Sequence, residues 1–546
     1  MNRALEDWIN RWWYPLLAAG IALHLAALFG TLNEPDSALY ATVAKHMAQT
    51  GDLINLVAYR GDFLDKPHFL FWVTSTSFRL FGVNELAFRL PAVAFVLLGA
   101  HSTWRLGALL FDRTVARLAV LLLLTSEHVV LSNADVRAEP FLLGLIITAV
   151  FHLVAARGER WLPHLIAGAF FTAAAMMTKG PFVVVPIGAA LISHDARKLL
   201  QWRWLLGVAL VTLFLVPELA ALYLQFDAHP EKVMFGRTGV SGVRFFFWDS
   251  QFGRFLNTGP LKGYGEPSYF FHVVLWAFLP WSLWLYLAAF ARARAALQKQ
   301  PSPWGGRELP VWGTALLTML IFTASRSQLP HYLNIAFPFF ALGVATWLVR
   351  LENVRWATIP GLAVTVGMPL ATAGLLVVVE VPGFPWVAGA VLAFTALSFV
   401  IFRGLSLEAT IGRAVIAAVV VNLALLRSYL PFLLDHQVGK QAAQLANTLP
   451  PMRTVLVEVE SLTFDFNLHE EVIRWTADDT LKMTAEGPAR ILTSAGGKAA
   501  LEERGLQVRV LGSWDYFHVS LPTRAFLDAR TRATVVEPWV LAEVSR

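Results

Sequence analysis

The sequence predicts a polytopic α-helical membrane protein that carries a small α/β domain at its C-terminal end. Three observations point there. Of 546 residues, 56% are hydrophobic and only 15% charged, against roughly 45–50% and about 25% in soluble chains, and the mean hydropathy is +0.55. Apolar stretches of the length that crosses a hydrocarbon core, about 17–25 helical residues, recur from Trp12 to Leu430. Beyond Leu430 the composition turns to that of a water-soluble chain.

The stretches give about thirteen transmembrane helices, near residues 12–31, 88–110, 113–132, 138–156, 162–178, 180–194, 203–226, 268–290, 309–325, 330–349, 356–378, 384–402 and 411–429. The first follows Arg3 and Arg11 without a convincing small-residue cleavage site, so it is expected to be a retained anchor. Segment 67–82 (PHFLFWVTSTSFRLFG) is short, aromatic and interrupted by Ser, Thr and Arg79; it reads as a helix lying in the interface. With 67–82 kept out of the count and the N-terminus cytoplasmic, the cytoplasmic turns hold Arg113; Arg157 and Arg160; Arg197, Lys198 and Arg203; Arg292, Arg294, Lys299 and Arg307; Arg350 and Arg355; Arg403 and Arg413. That is the basic bias expected of cytoplasmic turns. Counting 67–82 as a span would put most of these residues outside.

On this reading two outer loops, 32–87 and 227–267, and the tail 431–546 lie on the far side of the membrane, and residues 1–430 form the membrane domain. The tail alternates strand-like runs (TVLVEV, ARILTS, QVRVLGSW, TVVEPWVLAEV) with helical ones (DHQVGKQAAQLANTL, GKAALEERG), the pattern of a separate small α/β domain. A formal net charge of +6 is modest for this length and gives nucleic-acid binding no support. The absence of Cys excludes a disulfide framework and thiolate chemistry.

The far side collects Glu34 and Asp36; Asp65 and Lys66; Glu85 and Arg89; Asp135, Arg137 and Glu139; Lys179; Asp249 and Arg254; and Arg326 and His331. Charges at span ends are costly unless paired, hydrated or functional. Gathered from at least six connections, they predict one polar cavity. Both signs are present, which suits moving a sugar off a phosphate. Carboxylates can bind sugar hydroxyls, hold a metal or deprotonate an acceptor, and Lys and Arg can stabilise a phosphate leaving group. Interfacial anchoring and loop ion pairs would explain any single member equally well.

Six segments in order, TLNEPDSALYATVAKHMAQTGD, LDKPHFLFW, FGVNELAFRLPAVAF, LSNADVRAEPFLLGL, MMTKGPFVVVP and SRSQLPHYLNIAFPFFAL, resemble the signatures of bacterial GT-C glycosyltransferases. The likeness is nearest to the lipid A aminoarabinose transferases and more distant to the protein O-mannosyltransferases, and it runs over about residues 30–350. It implies about thirteen spans with periplasmic interfacial helices and a polyprenyl (undecaprenyl) phosphate sugar as donor. It further implies inversion at the anomeric carbon and a cell-envelope acceptor such as lipid A.

Residue by residue, the resemblance makes Asp36 the candidate catalytic acid/base, although Asp36 would also serve as the N-cap of the helix SALYATVAKHM. Asp135 matches the second acidic position and is the second catalytic candidate, there to bind sugar or orient a neighbour, and Glu34 joins the site candidates. Lys66, with Asp65 beside it, matches the residue that meets the donor phosphate. Arg89 would reach phosphate or pair with Glu85 one turn away, and Lys179 would face phosphate or merely sit in a turn. Arg254, in FFFWDSQFGRF, matches a phosphate-binding Arg. Tyr332 and His331 are donor contacts, with Tyr332 otherwise an aromatic anchor. Arg326 would replace the Lys that is common where this chain has Gln328. The family's His near Asp249 is missing here, so no required metal follows, although Asp65 with Asp249 could bind a divalent cation. The remaining readings are a protein O-glycosyltransferase with the same donor class and a lipid-linked sugar transporter or flippase; charges at one face and the lack of an internal repeat argue against transport.

Overall fold

The computed structural model describes residues 2–58, 61–351, 355–479 and 487–546. The side chains of Arg197, Lys198 and Arg355, three members of the basic turns, lie outside the described residues.

All the apolar stretches fold as helices. They comprise α1 (Arg3–Ala26), α4 (Glu85–Leu110), α5 (Arg113–Leu124), α6 (Glu127–Ala134), α7 (Glu139–Ala155), α8 (Trp161–Lys179), α9 (Val184–Asp195) and α10 (Arg203–Leu222). After the short α11 (Gly242–Arg244) come α12 (Tyr269–Ala277), α13 (Ser282–Leu297), α14 (Leu309–Ala324), α15 (Phe337–Leu348), α16 (Arg355–Val379), α17 (Phe384–Ile401) and α18 (Leu407–Ala424). Among the described residues, seven helices are long and apolar enough to cross a membrane, or eight if the α5–α6 pair, bent by 51°, is one span. Of the other stretches, α1 is 24 residues long but more polar, with Arg3, Glu6, Asp7 and Arg11 in its first half, and the rest are shorter or broken: the segment expected at 268–290 is split into α12 and α13.

Local sequence sets the boundaries. Asn84 accepts from Ala87 N at 2.8 Å and opens α4, and Asp112 accepts from Val115 N at 2.9 Å and opens α5, each satisfying an orphan amide of the first turn. Gly51, at φ 79°, closes α2 (Asp36–Thr50) in a left-handed cap that glycine adopts freely. Helices α4 and α7 approach so closely that a Cβ on Gly144 would overlap the carbonyl of Phe95. Small residues serve this purpose wherever membrane helices pack backbone to backbone.

The first outer loop folds into α2, a two-stranded hairpin of β1 (Val57–Ala58) and β2 (Gly61–Asp62), and α3 (Phe69–Phe81). Helix α3 has 13 residues, about 20 Å at 1.5 Å per residue, too short for a hydrocarbon core of about 30 Å. It buries Leu70, Phe71 and Phe78 and exposes Leu80 and Phe81, an amphipathic arrangement suited to the interface.

The C-terminal part begins with α19 (Leu430–Asp435) and α20 (Gly439–Asn447). Its remaining elements are β3 (Thr454–Val457), α21 (Leu462–Asn467), β4 (Val472–Trp475), β5 (Ala489–Ser494), α22 (Ala495–Glu503), β6 (Gln507–Tyr516), α23 (Arg524–Leu527) and β7 (Glu537–Ser545). The sheet order is β4-β3-β5-β7-β6, with β3 parallel to β4 and β5, and β7 antiparallel to β5 and β6. Alternate residues of β3 point to opposite faces, so Leu456 packs with Phe464, Leu492 and Leu541, while Val455 and Val457 pack with Ile491, Leu501 and Val544. The sheet thus has a core on each face. Its helix α21 also reaches the membrane part: Leu462 and Phe466 belong to the large core there, and Phe466 meets Phe78 at 5.9 Å between ring centroids.

Candidate active site

The ends of several elements meet around a cavity with two adjoining parts. Both are lined by Asp65, Lys66, Glu139, Lys179, Arg254, Ser327 and Tyr332. The first part is walled by Leu142, Phe182, Val185, Ile321, Phe322 and Ile335, which gives it an apolar wall between helices. The second adds Asp36, Tyr40, Arg137, Lys262 and His331 and is the polar end. The basic turns lie at the opposite ends of the helices that meet here: α7 starts at Glu139 and runs to Ala155 before Arg157, and α8 starts after Arg160 and ends at Lys179.

Asp36 is the first residue of α2 and makes no capping hydrogen bond; the N-cap is Pro35. Its carboxylate instead accepts from Arg137 Nη1 at 2.6 Å, and Arg137 Nε donates to Asp135 at 3.1 Å. Arg137 therefore ties the two acidic positions together. Asp135, the second catalytic candidate, does not line the cavity and touches the site through Arg137.

Asp65 accepts from both Lys66 and Arg254. Burial works against its charge, but these two cations overcome it and hold the carboxyl down at about 2. Burial likewise opposes the charge on Lys66 and on Arg254, and Asp65 reverses this, so both are pushed above their ordinary values. The result is two fixed positive charges on one carboxylate. Lys66 also stands 5.8 Å from the ring centre of Tyr40.

Lys179 closes α8, where a cation suits the helix C-terminus. It donates to Glu139 and lies 3.8 Å from the centre of the Tyr332 ring, an attractive cation–π geometry. His331 Nε2 is 3.8 Å from Glu139 Oε1. Glu139 is thus the buried anion between Lys179 and His331. The sequence carries a signal for it, a carboxylate at the first position of the apolar helix EPFLLGLIITAVFHLVA, which must find a partner.

Other candidates fall elsewhere. Arg89 is 1% exposed and donates to the carbonyls of Gly30, Thr31 and Ala134; it stitches three segments together and does not line the cavity. Glu85 pairs with Lys440 at 2.7 Å and not with Arg89. Glu34 turns to Ser461 and Thr463 of the C-terminal part. Arg326 is exposed, outside the lining. Gln328 accepts from Glu266 N at 2.8 Å and donates to the carbonyl of Thr323 at 3.1 Å. Asp249 faces Arg244 at 3.7 Å. Both oxygens of Asp65 are taken by Lys66 and Arg254, so Asp65 is not free to share a divalent cation with Asp249. No group of three or more His, Asp or Glu gathers to hold a metal among the described residues.

The family described as dolichyl-phosphate-mannose-protein mannosyltransferase matches residues 65–220. An undecaprenyl phosphate-α-4-amino-4-deoxy-L-arabinose arabinosyl transferase of Edwardsiella ictaluri is 27% identical over 393 residues, 68% of this chain and 66% of that protein. An uncharacterized protein of Aquifex aeolicus is 25% identical over 328 residues, 58% of this chain and 59% of that one. Both matches span less than two thirds of the relative's length. The crystal structure of ArnT from Cupriavidus metallidurans bound to undecaprenyl phosphate superposes with a TM-score of 0.73 at 19% identity, covering 97% of this chain and 98% of that one. The fold is therefore of the GT-C type seen in that structure, and in sequence the chain is similar to aminoarabinose transferases.

Proposed function

We propose that this protein is an inverting glycosyltransferase that takes a sugar from a polyprenyl (undecaprenyl) phosphate and passes it to a cell-envelope acceptor, lipid A above all. The observation that carries the reading is the cavity itself, in which an apolar wall between helices leads to Lys66, Arg254, Lys179 and Tyr332 beside Asp36. The prenyl chain lies along the apolar wall. Its phosphate meets Lys66 and Arg254, whose charges are already fixed by Asp65 and need no reorganisation as the leaving group gains charge.

The acceptor oxygen attacks the anomeric carbon from the side of Asp36 while the bond from that carbon to the phosphate oxygen breaks, and polyprenyl phosphate departs with the electron pair. A hydroxyl acceptor gives its proton to Asp36; a phosphate acceptor is already ionised, and Asp36 then orients it. The basic turns at the far ends of the helices support a cytoplasmic placement for those ends and a periplasmic one for the cavity and the C-terminal domain, 431–546. The sugar is a pentose or hexose.

The test is turnover of a purified undecaprenyl-phosphate sugar with lipid A in proteoliposomes. Asp36→Asn and Lys66→Ala, checked for folding, should each abolish most of the rate; near-normal rates for both would overturn the assignment. Mass spectrometry of lipid A and of envelope glycoproteins, with and without the protein, separates a lipid acceptor from a protein one.

A further inference from the structure

We propose that the C-terminal domain positions Asp36 by gripping helix α2 at two points, with Glu34 and Lys45 as the positioning residues. The inference rests on the role given to Asp36 above. Glu34 stands two residues before Asp36, and its Oε1 accepts from Ser461 Oγ at 3.0 Å, from Thr463 N at 2.6 Å and from Thr463 Oγ1 at 2.6 Å. These groups open helix α21. Nine residues into α2, Lys45 Nζ donates to the carbonyls of Asp465, Phe466 and Leu468 at 2.7, 3.1 and 2.8 Å, which close the same helix. An acid thus meets the N-terminus of α21 and a base its C-terminus, each matching the charge of the helix end it touches.

The grip extends to the backbone that leads into Asp36. Glu34 N donates to Gln437 Oε1 at 2.7 Å, Gln437 Nε2 donates to the Leu32 carbonyl at 2.8 Å, and Ser520 Oγ donates to the Glu34 carbonyl at 2.8 Å. Partners from four places in the C-terminal chain, near residues 437, 461, 465 and 520, therefore converge on residues 32–45. Held at two points separated by about 14 Å of helix, at 1.5 Å per residue, α2 can neither slide nor rotate against α21. That fixes Asp36 opposite Arg137. An Asp36 displaced by even about 1 Å would lose catalytic efficiency by roughly a hundredfold, which gives a domain remote from the cavity a direct hold on the reaction.

The test pairs amide hydrogen exchange with kinetics on the full-length protein. Glu34→Ala and Lys45→Met should raise deuterium uptake across residues 33–47 and lower kcat by about tenfold or more with the donor KM unchanged. Glu34→Gln, which still accepts from Thr463, should restore both. If Glu34→Ala or Lys45→Met fails to fold, Thr463→Val, which removes the hydroxyl's hydrogen bonds to Glu34 and to Ser461 but keeps the backbone donor to Glu34, gives a milder form of the same two readouts. Unchanged uptake in the folded variants overturns the grip, and raised uptake with unchanged kcat overturns its bearing on Asp36. The uptake measurement needs no substrate, so a wild-type protein that turns over no polyprenyl-phosphate sugar would sink the enzymatic reading and leave the grip to stand or fall on exchange alone.

Discussion

Arg137 and Asp36, 101 residues apart in sequence, meet at 2.6 Å at the polar end of the cavity. The guanidinium holds the carboxylate where an acceptor would arrive, and its other side rests on Asp135. Arg137→Ala is expected to lower kcat about a hundredfold, the scale of a mispositioned catalytic group, with little change in donor affinity. Asp135→Asn should cost less. Because Asp135 acts through Arg137, the double variant should be no slower than Arg137→Ala alone, a coupling that a double-mutant cycle reads directly. Additive losses would show that Asp135 touches the reaction independently.

The Asp65 carboxyl, held at about 2 against an ordinary 3.8, gives a second expectation. Its folded value is depressed, so its contribution to stability is complete above about pH 4 and is lost only as pH falls through about 2. Across pH 5–9 the triad of Asp65, Lys66 and Arg254 should keep its charges. The acid limb of a kcat/KM profile in that range therefore belongs to another group, and Asp65→Asn should lower the rate while leaving the position of that limb unchanged. A limb that moves with Asp65→Asn would contradict the depressed value.

Glu139 and Lys179 form a buried pair, with side chains 2% and 13% exposed. Removing one partner of such a pair strands the other charge and costs about 3–5 kcal/mol, whereas removing both is far milder. Glu139→Ala should lower the melting temperature in detergent more than Glu139→Ala combined with Lys179→Met. Activity should be weak in both, since Lys179 also faces Tyr332. A double variant less stable than Glu139→Ala would show that the pair is not the main partnership of either residue.

Much of the membrane part is legible from apolar run length alone, because each helix must satisfy its own backbone and cover its own thickness of hydrocarbon. The cavity was legible to the extent that its residues sit at helix ends in recognisable motifs, as Asp36, Lys66, Lys179, Arg254 and Tyr332 do. Partnerships were not. Arg137 finds Asp36 across 101 residues and Lys179 finds Glu139 across 40, and no local pattern encodes such a meeting. Glu34 shows the converse difficulty: its position two residues from Asp36 suggested the site, but its side chain points to α21 and not to the cavity. Motif position tells which end of the helices a charge occupies; packing decides which way it faces. The tail's strands were readable from their alternation, but its docking on α2 depends on pairs such as Lys45 with the Asp465 carbonyl, which need the folded chain.

Arg89 separates these two kinds of information experimentally. Its motif suggested a phosphate contact, yet the guanidinium donates to the carbonyls of Gly30 and Thr31 at 2.7 Å each and of Ala134 at 3.0 Å. It ties the end of the first helical segment to the end of α6. Arg89→Met keeps most of the apolar volume but leaves three carbonyls without their donor, and hydrogen bonds to a charged group contribute about 1.5–3 kcal/mol each, with partial recovery from water. The variant is expected to melt at a clearly lower temperature and to accumulate poorly in the membrane. Per folded molecule, however, the KM for a polyprenyl-phosphate sugar should match the wild type. A KM raised tenfold in folded Arg89→Met would return Arg89 to the phosphate.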